Sequence, residues 1–134
     1  MLLAVAKGVY GELAAGTAIT ALVSTRIYNS QAPQTAETLP YVVFSLASGG
    51  DTNDTPREEL DVIVDVKAVA ATALEAQQAA DAIRATLHDA DLTLDGDWAA
   101  VRCQHHAAFF YAENVERRQY WHAGGSYRIR AVVE

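Results

Sequence analysis

The sequence predicts an α+β fold: a mainly antiparallel sheet of about four to five strands, packed by helices on one face, in the order ααβββαββ. Three patterns lead to this prediction. Apolar residues recur at helical spacing near the N-terminus and again over 72–89, runs of β-branched and aromatic residues occupy 40–67 and 98–133, and turn-forming residues separate these segments. The 134 residues contain no internal repeat and are assigned to one domain, 1–134.

Two helices are expected at the start of the chain. Residues 2–15 place apolar side chains on one helical face, namely those of Leu2, Val5, Ala6, Val9 and Leu13. Gly16 interrupts this pattern, and Thr17 is expected to cap a second, shorter helix that continues to Val23.

The middle of the chain predicts a short strand followed by an antiparallel hairpin. Residues 26–28 form the short strand, and the polar segment 29–38 follows as a loop. Residues 40–46 are apolar on both faces, as in a central strand, whereas apolar and polar positions alternate along much of 60–67. One loop, 49–57, joins these two strands, so we expect them to pair antiparallel.

A helix is predicted next, because Thr72 followed by Glu75 has the spacing of a capping box. Its buried stripe is mostly alanine, with Ile83 and Leu87 as the larger members, and the pattern ends near Asp89.

Two long strands complete the fold. Residues 98–111 and 120–133 have β character and are expected to pair with each other. Gly124 and Gly125 lie inside the second strand and indicate a bulge or kink there.

The charge is acidic overall but unevenly distributed. The formal net charge is −7, which argues against sequence-independent binding to duplex DNA. Residues 1–100 hold five cations and fourteen acids, net −9, whereas residues 101–134 hold five cations and three acids, net +2. Surfaces of opposite sign suit head-to-tail association between copies, and a solvated mixed surface is the alternative.

The apolar segments and the cysteine content indicate where the chain folds. Charged and polar residues interrupt the apolar N-terminal stretch, which excludes a membrane span, and no basic region precedes it as in a secretory signal. The single cysteine, Cys103, has no internal disulfide partner. We therefore expect the chain to fold inside the cell and not to act at a membrane.

The sequence does not indicate an enzyme. It contains no GxGxxG, GxxxxGK[ST], HExxH or GxSxG motif. Cys103 and His105 share one face of a predicted strand, but two ligands do not make a zinc site, and nothing marks an activated thiolate. We expect no metal site and no cofactor, with a small enzyme based on Cys103 and His105 as a remote alternative.

Two segments are candidates for contacts with partners or other copies. Aromatic and arginine side chains, which are enriched at protein interfaces, accumulate late in the chain, and a polar loop follows the first long strand. The candidate residues are Asp51, Asn53, Asp54, Arg57, Tyr111, Arg117, Arg118, Tyr120 and Trp121. The alternatives for the aromatic residues are a place in the core or on an ordinary sheet surface, and stacking on single-stranded nucleic acid, which the acidic remainder of the chain disfavours.

Residues 21–46 resemble a known family. They contain ALV at 21–23, RIY at 26–28, AP at 32–33 and LPYVVF at 39–44. This opening is similar to that of the tail completion, or tail terminator, proteins of long-tailed bacteriophages, prophages and gene transfer agents. The later order of valine-rich strand, helix and β pair is similar too. These motifs determine a fold and are not a catalytic signature.

The resemblance implies a structural role without a cofactor. Such proteins form a ring, usually a homo-hexamer, which caps the head-proximal end of the tail tube, ends tube growth and offers a docking surface to the head connector or stopper protein. Genome DNA passes through such a ring without sequence-specific binding. The implied location is the virion or phage-like particle, at the head–tail junction, after assembly in the host bacterial cytoplasm. A head–tail adaptor or stopper of the same joining complex is the alternative.

Overall fold

A computed structural model describes residues 2–33, 38–51, 59–96 and 98–133. These residues form three helices and one five-stranded sheet, which confirms the predicted α+β class and element order. The elements are α1 (Leu2–Ala15), α2 (Thr17–Val23), β1 (Ile27–Asn29), β2 (Tyr41–Asp51), β3 (Glu59–Ala70), α3 (Ala73–Leu87), β4 (Trp98–Val115) and β5 (Arg118–Val133).

The strands are ordered β1-β2-β3-β5-β4 across the sheet. The expected hairpins β2–β3 and β4–β5 are both antiparallel, and β3 pairs antiparallel with β5. The short strand β1 pairs parallel with β2, through Ile27↔Val42 to Asn29↔Phe44. As a result, β2 is not the central strand: β3 is, and it carries the most regular alternation of buried and partly exposed residues.

The helices pack on one face of the sheet. On β3 the buried positions alternate from Leu60 to Val66 and end in three consecutive residues, 68–70, and on β5 they include Ala123, Tyr127, Ile129 and Ala131. Helical side chains complete this core, among them Val5, Val9, Leu13, Ile19, Ile83 and Leu87. The other face of the sheet, which we call the open face, has no helix against it within the described residues.

The two predicted N-caps have different outcomes. Thr72 is the N-cap of α3, and its Oγ1 accepts a hydrogen bond from the backbone N–H of Glu75 at 3.2 Å, as the capping box requires. Thr17, in contrast, is already the first residue of α2. The N-cap is Gly16, which has no side chain with which to cap the helix.

The glycine pair in β5 permits close packing of the sheet. A Cβ added at Gly124 would lie only 2.6 Å from Cα of Lys67 on β3, and one at Gly125 would lie 2.7 Å from the backbone oxygen of Ala107 on β4. The register shift near these glycines is in β4, between His105 and Ala107, and not in β5, where the sequence suggested a bulge.

No single described helix is both long and apolar enough to cross a membrane. The pair α1 and α2 would pass that test only in combination, and the two helices meet at a bend of 84°.

Candidate partner interface

The end of the β4–β5 hairpin projects beyond the rest of the sheet. Pairing between β3 and β5 ends at Ala70↔Trp121, whereas β4 and β5 remain paired with each other up to Val115↔Arg118. The residues of this projecting arm, 112–121, therefore extend about 13 Å past β3, at roughly 3.3 Å per residue. A two-residue turn closes the arm at Glu116 and Arg117, and both have positive φ, 48° and 70°, as in the hairpin turns that match strand twist.

Two of the predicted tyrosines share the open face of this hairpin. The ring of Tyr111 stacks on His122, with centroids 4.6 Å apart, and its hydroxyl accepts a hydrogen bond from Lys67 Nζ at 3.3 Å. Tyr120 lies on the same face, and the guanidinium carbon of Arg118 is 5.9 Å from its ring centroid. The structure therefore brings Tyr111, Arg118 and Tyr120 onto one surface.

Trp121 lies on the opposite face of the hairpin. It packs against a cluster of alanines of β3, α3 and β5, namely Ala70, Ala76 and Ala123, and its indole stacks on Phe110 at 5.4 Å. Trp121 thus anchors the base of the arm to the helix layer and does not extend the surface that carries Tyr111.

The arginines at the tip are exposed. Arg117 is in the turn, Arg118 begins β5, and neither forms an ion pair with any residue that the structure describes. Both guanidinium groups are consequently available to acidic groups of a partner.

The polar-loop candidates cannot be placed in the same way. Asn53, Asp54 and Arg57 lie outside the described residues. Asp51 is described only through its backbone, as the last residue of β2, paired with Leu60.

An aromatic band that the sequence analysis missed crosses the open face. Tyr28 and Tyr41 meet edge to face at 5.8 Å, and Phe109 lies 6.3 Å from Tyr111. Burial raises the pKa of Tyr41, and the nearby hydroxyl of Tyr120 raises it further. Between these groups is a depression of about 250 Å³, lined by Val43, Ser45, Asp65, Lys67, Phe109 and Tyr111. The signal was present in the sequence as aromatic residues two positions apart on β4.

The opposite end of the open face is polar and internally paired. Arg128 donates two hydrogen bonds to the carboxylate of Asp61, from Nε to Oδ1 at 2.9 Å and from Nη2 to Oδ2. This interaction lowers the pKa of Asp61. Ser126 donates to Asp65 at 2.7 Å. The open face therefore divides into an aromatic end, next to the arm, and an end whose charges are largely matched.

The geometry gives no support to a nucleophilic role for Cys103. Its side chain is fully buried, and burial raises the pKa of the thiol to about 12. The ring of His105 meets that of Tyr127 edge on at 5.3 Å, and burial lowers the pKa of His105. A neutral thiol in the core is a poor nucleophile and a poor metal ligand. Over the described residues, no three His, Cys, Asp or Glu side chains lie close enough to hold a metal ion.

Comparisons with known proteins point to one family. The family model described as "Tail completion protein gp17" matches residues 7–134. A chain from a solved structure, "Virion of native gene transfer agent (GTA) particle", has the same fold with a TM-score of 0.68 and 23% sequence identity, covering 98% of this chain and 96% of that chain. No curated protein sequence matches.

Proposed function

This chain belongs to the tail completion protein gp17 family and is thus a structural protein of the tail of a phage or phage-like particle; from that premise we propose that it forms a ring that ends the tail tube. The ring, of six copies, caps the head-proximal end of the tube, stops its growth and presents a surface on which the head connector docks. The chain acts as one domain, 1–134, and takes no part in catalysis.

The observation that carries this proposal is the projecting arm with its exposed tip. A hairpin that extends past its own sheet, with two exposed arginines at its end that form no ion pair with any described residue, reaches a partner that the compact part of the domain does not. Contacts with the tube and the connector are assigned to the arm, through Arg117, Arg118 and Tyr120, to the adjoining Tyr111, and to the 51–57 segment, through Asp51, Asn53, Asp54 and Arg57. Trp121 contributes by fixing the arm to α3.

The passage of DNA through the ring is consistent with the charge of the chain. Each copy has a net charge of −7, so the ring as a whole is acidic, and we propose that some of its acidic groups line the opening. Such a lining repels phosphate and lets the genome pass without sequence-specific contacts.

Electron microscopy of particles from a producing strain, with and without this gene, tests the proposal. We expect the deletion to leave filled heads without tails beside tails of uncontrolled length, and the gene supplied in trans to restore normal particles. Tails of normal length that fail to join heads would instead indicate an adaptor or stopper. Unchanged particles would contradict both functions.

A further inference from the structure

We propose, on the basis of the ring described above, that β4 of one copy adds as a strand to the free edge of β2 in the next copy, with Phe110 entering an apolar groove beside that edge. The interface is between two copies of this chain, and it joins two different surfaces.

The first surface is the outer edge of β4, of which only the first half is covered. There, Asp89 N–H donates to the backbone oxygen of Cys103 at 2.8 Å, and His88 Nδ1 accepts from the backbone N–H of His105 at 3.1 Å. No described residue covers the second half, 107–115, on that side. An edge strand of this length is a template for pairing unless something covers it.

The turn geometry identifies the groups that point outward from this edge. In an antiparallel pair, hydrogen-bonded and non-hydrogen-bonded positions alternate, and a two-residue turn makes its flanking pair, Val115 and Arg118, hydrogen-bonded. Val115 therefore directs its backbone groups toward β5, and the residue before it, Asn114, directs them away from the sheet. The same outward direction recurs at every second residue before Asn114, namely Ala112, Phe110 and Ala108. The ring of Phe110 rests on Trp121 on one side and leaves 45% of the residue exposed.

The second surface is at the other side of the sheet, where β1 stops short. Its pairing with β2 ends at Asn29↔Phe44, followed only by a hydrogen bond from Ser30 N–H to the Phe44 oxygen, while β2 continues to Asp51. Past Phe44, no residue that the structure describes occupies the place of β1. Within the described part of the chain, the second half of β2 therefore has an unpaired edge.

An apolar groove of about 280 Å³ lies between α1 and this edge. Its lining includes Leu2, Leu3, Val9, Phe44 and Leu46. Leu3 is 67% exposed, Leu2 54% and Leu46 40%, which is unusual for neighbouring leucines on one surface. A strand added beside β2 would direct alternate side chains into this groove, which is the usual arrangement in recognition by strand addition.

The topology of the sheet favours a second copy as the occupant. The two free edges lie at opposite sides of one sheet, so pairing them is head-to-tail and repeats from copy to copy, as a closed ring requires. β2 and β4 also run in opposite directions, so copies related by rotation about an axis along the strands bring them together antiparallel.

Site-directed cross-linking in assembled particles tests this interface. The test chain carries Phe110→Cys and Leu46→Cys, and intact particles are treated with a short bis-maleimide. The native Cys103 is fully buried and does not react. We expect a ladder on a denaturing gel, from dimer upward. A matched control, Phe110→Cys with Leu22→Cys, places the second thiol on α2, away from the groove, and is expected to give no ladder.

The single variants exclude a different arrangement of the same surfaces. Dimers from Phe110→Cys alone would mean that two β4 edges meet each other and would overturn the proposal. Cross-links to a different protein would overturn it as well, because the occupant would then be a tube or connector subunit. A second pair, Ala108→Cys with Leu3→Cys, probes the same contact if the first pair impairs assembly.

Counting copies per particle separates this inference from the proposed function. Several copies per tail end without a ladder from either pair would overturn the β4–β2 contact and leave the ring standing. A single copy per tail end would overturn the ring itself, and the interface with it.

Discussion

The imidazole of His122 lies flat against the phenol ring of Tyr111, with centroids 4.6 Å apart and ring planes within 8° of parallel. This contact joins β5 to β4 at the base of the projecting arm. Neither imidazole nitrogen has a hydrogen-bond partner among the described residues, and Glu113 Oε2 is 3.6 Å from Nε2, too far for a hydrogen bond. Burial lowers the pKa of His122, and the positive charge of Lys67 adds to this effect, whereas Glu113 opposes it.

We predict that His122→Phe stabilises the protein. Phenylalanine keeps the stacking on Tyr111 and removes two buried polar atoms that have no partner in the described part of the chain, each of which is costly to bury. We expect the free energy of unfolding at pH 7.5 to rise by about 1 kcal/mol, measured by urea denaturation. A clear loss of stability would show that the imidazole nitrogens do find partners.

The same substitution is predicted to flatten the dependence of stability on pH. The pKa of His122 is lower in the folded state than in the unfolded state. As the pH falls, His122 is therefore protonated in the unfolded chain before it is protonated in the folded protein. The free energy of unfolding therefore keeps its full value above the unfolded-state pKa of about 6.5. It decreases as the pH drops from there through the lower folded-state pKa of His122. Urea midpoints at pH 7.5 and 5.5 should differ less for His122→Phe than for wild type. His106→Phe, at an exposed position, is the control and should keep the wild-type difference.

Substitution of two glycines is predicted to have opposite effects. Gly124→Ala places a Cβ against the backbone of Val66 and Lys67, which cannot move without breaking the β3–β5 pairing, so we expect a loss of several kcal/mol. Gly11→Ala places a Cβ in open space within α1 and should stabilise the protein by about 0.5–1 kcal/mol. Thermal and urea denaturation measure both. Equal effects from the two substitutions would contradict the close approach at Gly124.

We predict that Cys103 is inert in the native protein. Its side chain is inaccessible, and its raised pKa leaves almost no thiolate at neutral pH. Labelling with iodoacetamide at pH 8 should therefore proceed only after denaturation. Cys103→Ala should cost about 1–2 kcal/mol of stability through the cavity it leaves, and particles assembled with it should be normal. A loss of particle formation with retained folding would revive a chemical role for this thiol.

Reversing the charge at the tip of the arm is predicted to impair assembly without affecting folding. Arg117→Glu and Arg118→Glu alter exposed side chains that hold no ion pair within the described part of the chain, so we expect stability to change by less than about 0.5 kcal/mol. We expect the yield of complete particles to fall when either variant replaces the wild type. Arg102→Glu makes the same change near the other end of β4 and serves as the control. Normal yields with both tip variants would remove the arm from the contact surface.

Local sequence patterns were sufficient to predict the features of the structure that depend on residues close together along the chain. The predicted N-cap hydrogen bond from the backbone N–H of Glu75 to Thr72 Oγ1 forms, since it joins atoms three residues apart. The alternation along β3 correctly indicated which side chains face the core, because side chains on a strand point alternately to its two faces. The order of elements and the fold class followed from such patterns.

Tertiary structure decided what depends on residues distant in the chain. The sequence marked Tyr111, Tyr120 and Trp121 as one aromatic cluster. Because successive side chains on a strand point to opposite faces, Trp121 packs against the helix layer while the two tyrosines lie on the open face. Tyr28 and Tyr41 join that face only because β1 and β2 pair, and nothing within three residues of β1 specifies its parallel partner.

By itself, then, the sequence determined the elements, most of the buried positions and the family resemblance, because each depends on residues that are close together along the chain. The predicted face of α1 failed at Leu2, which is 54% exposed. The sheet order β1-β2-β3-β5-β4 determined the rest: the arm that extends past β3, the aromatic end of the open face and the two strand edges that no described residue covers. The physical reason is that strand pairing uses backbone hydrogen bonds, which every residue offers alike. Which strands pair with each other is therefore determined by how the side chains of the whole core pack.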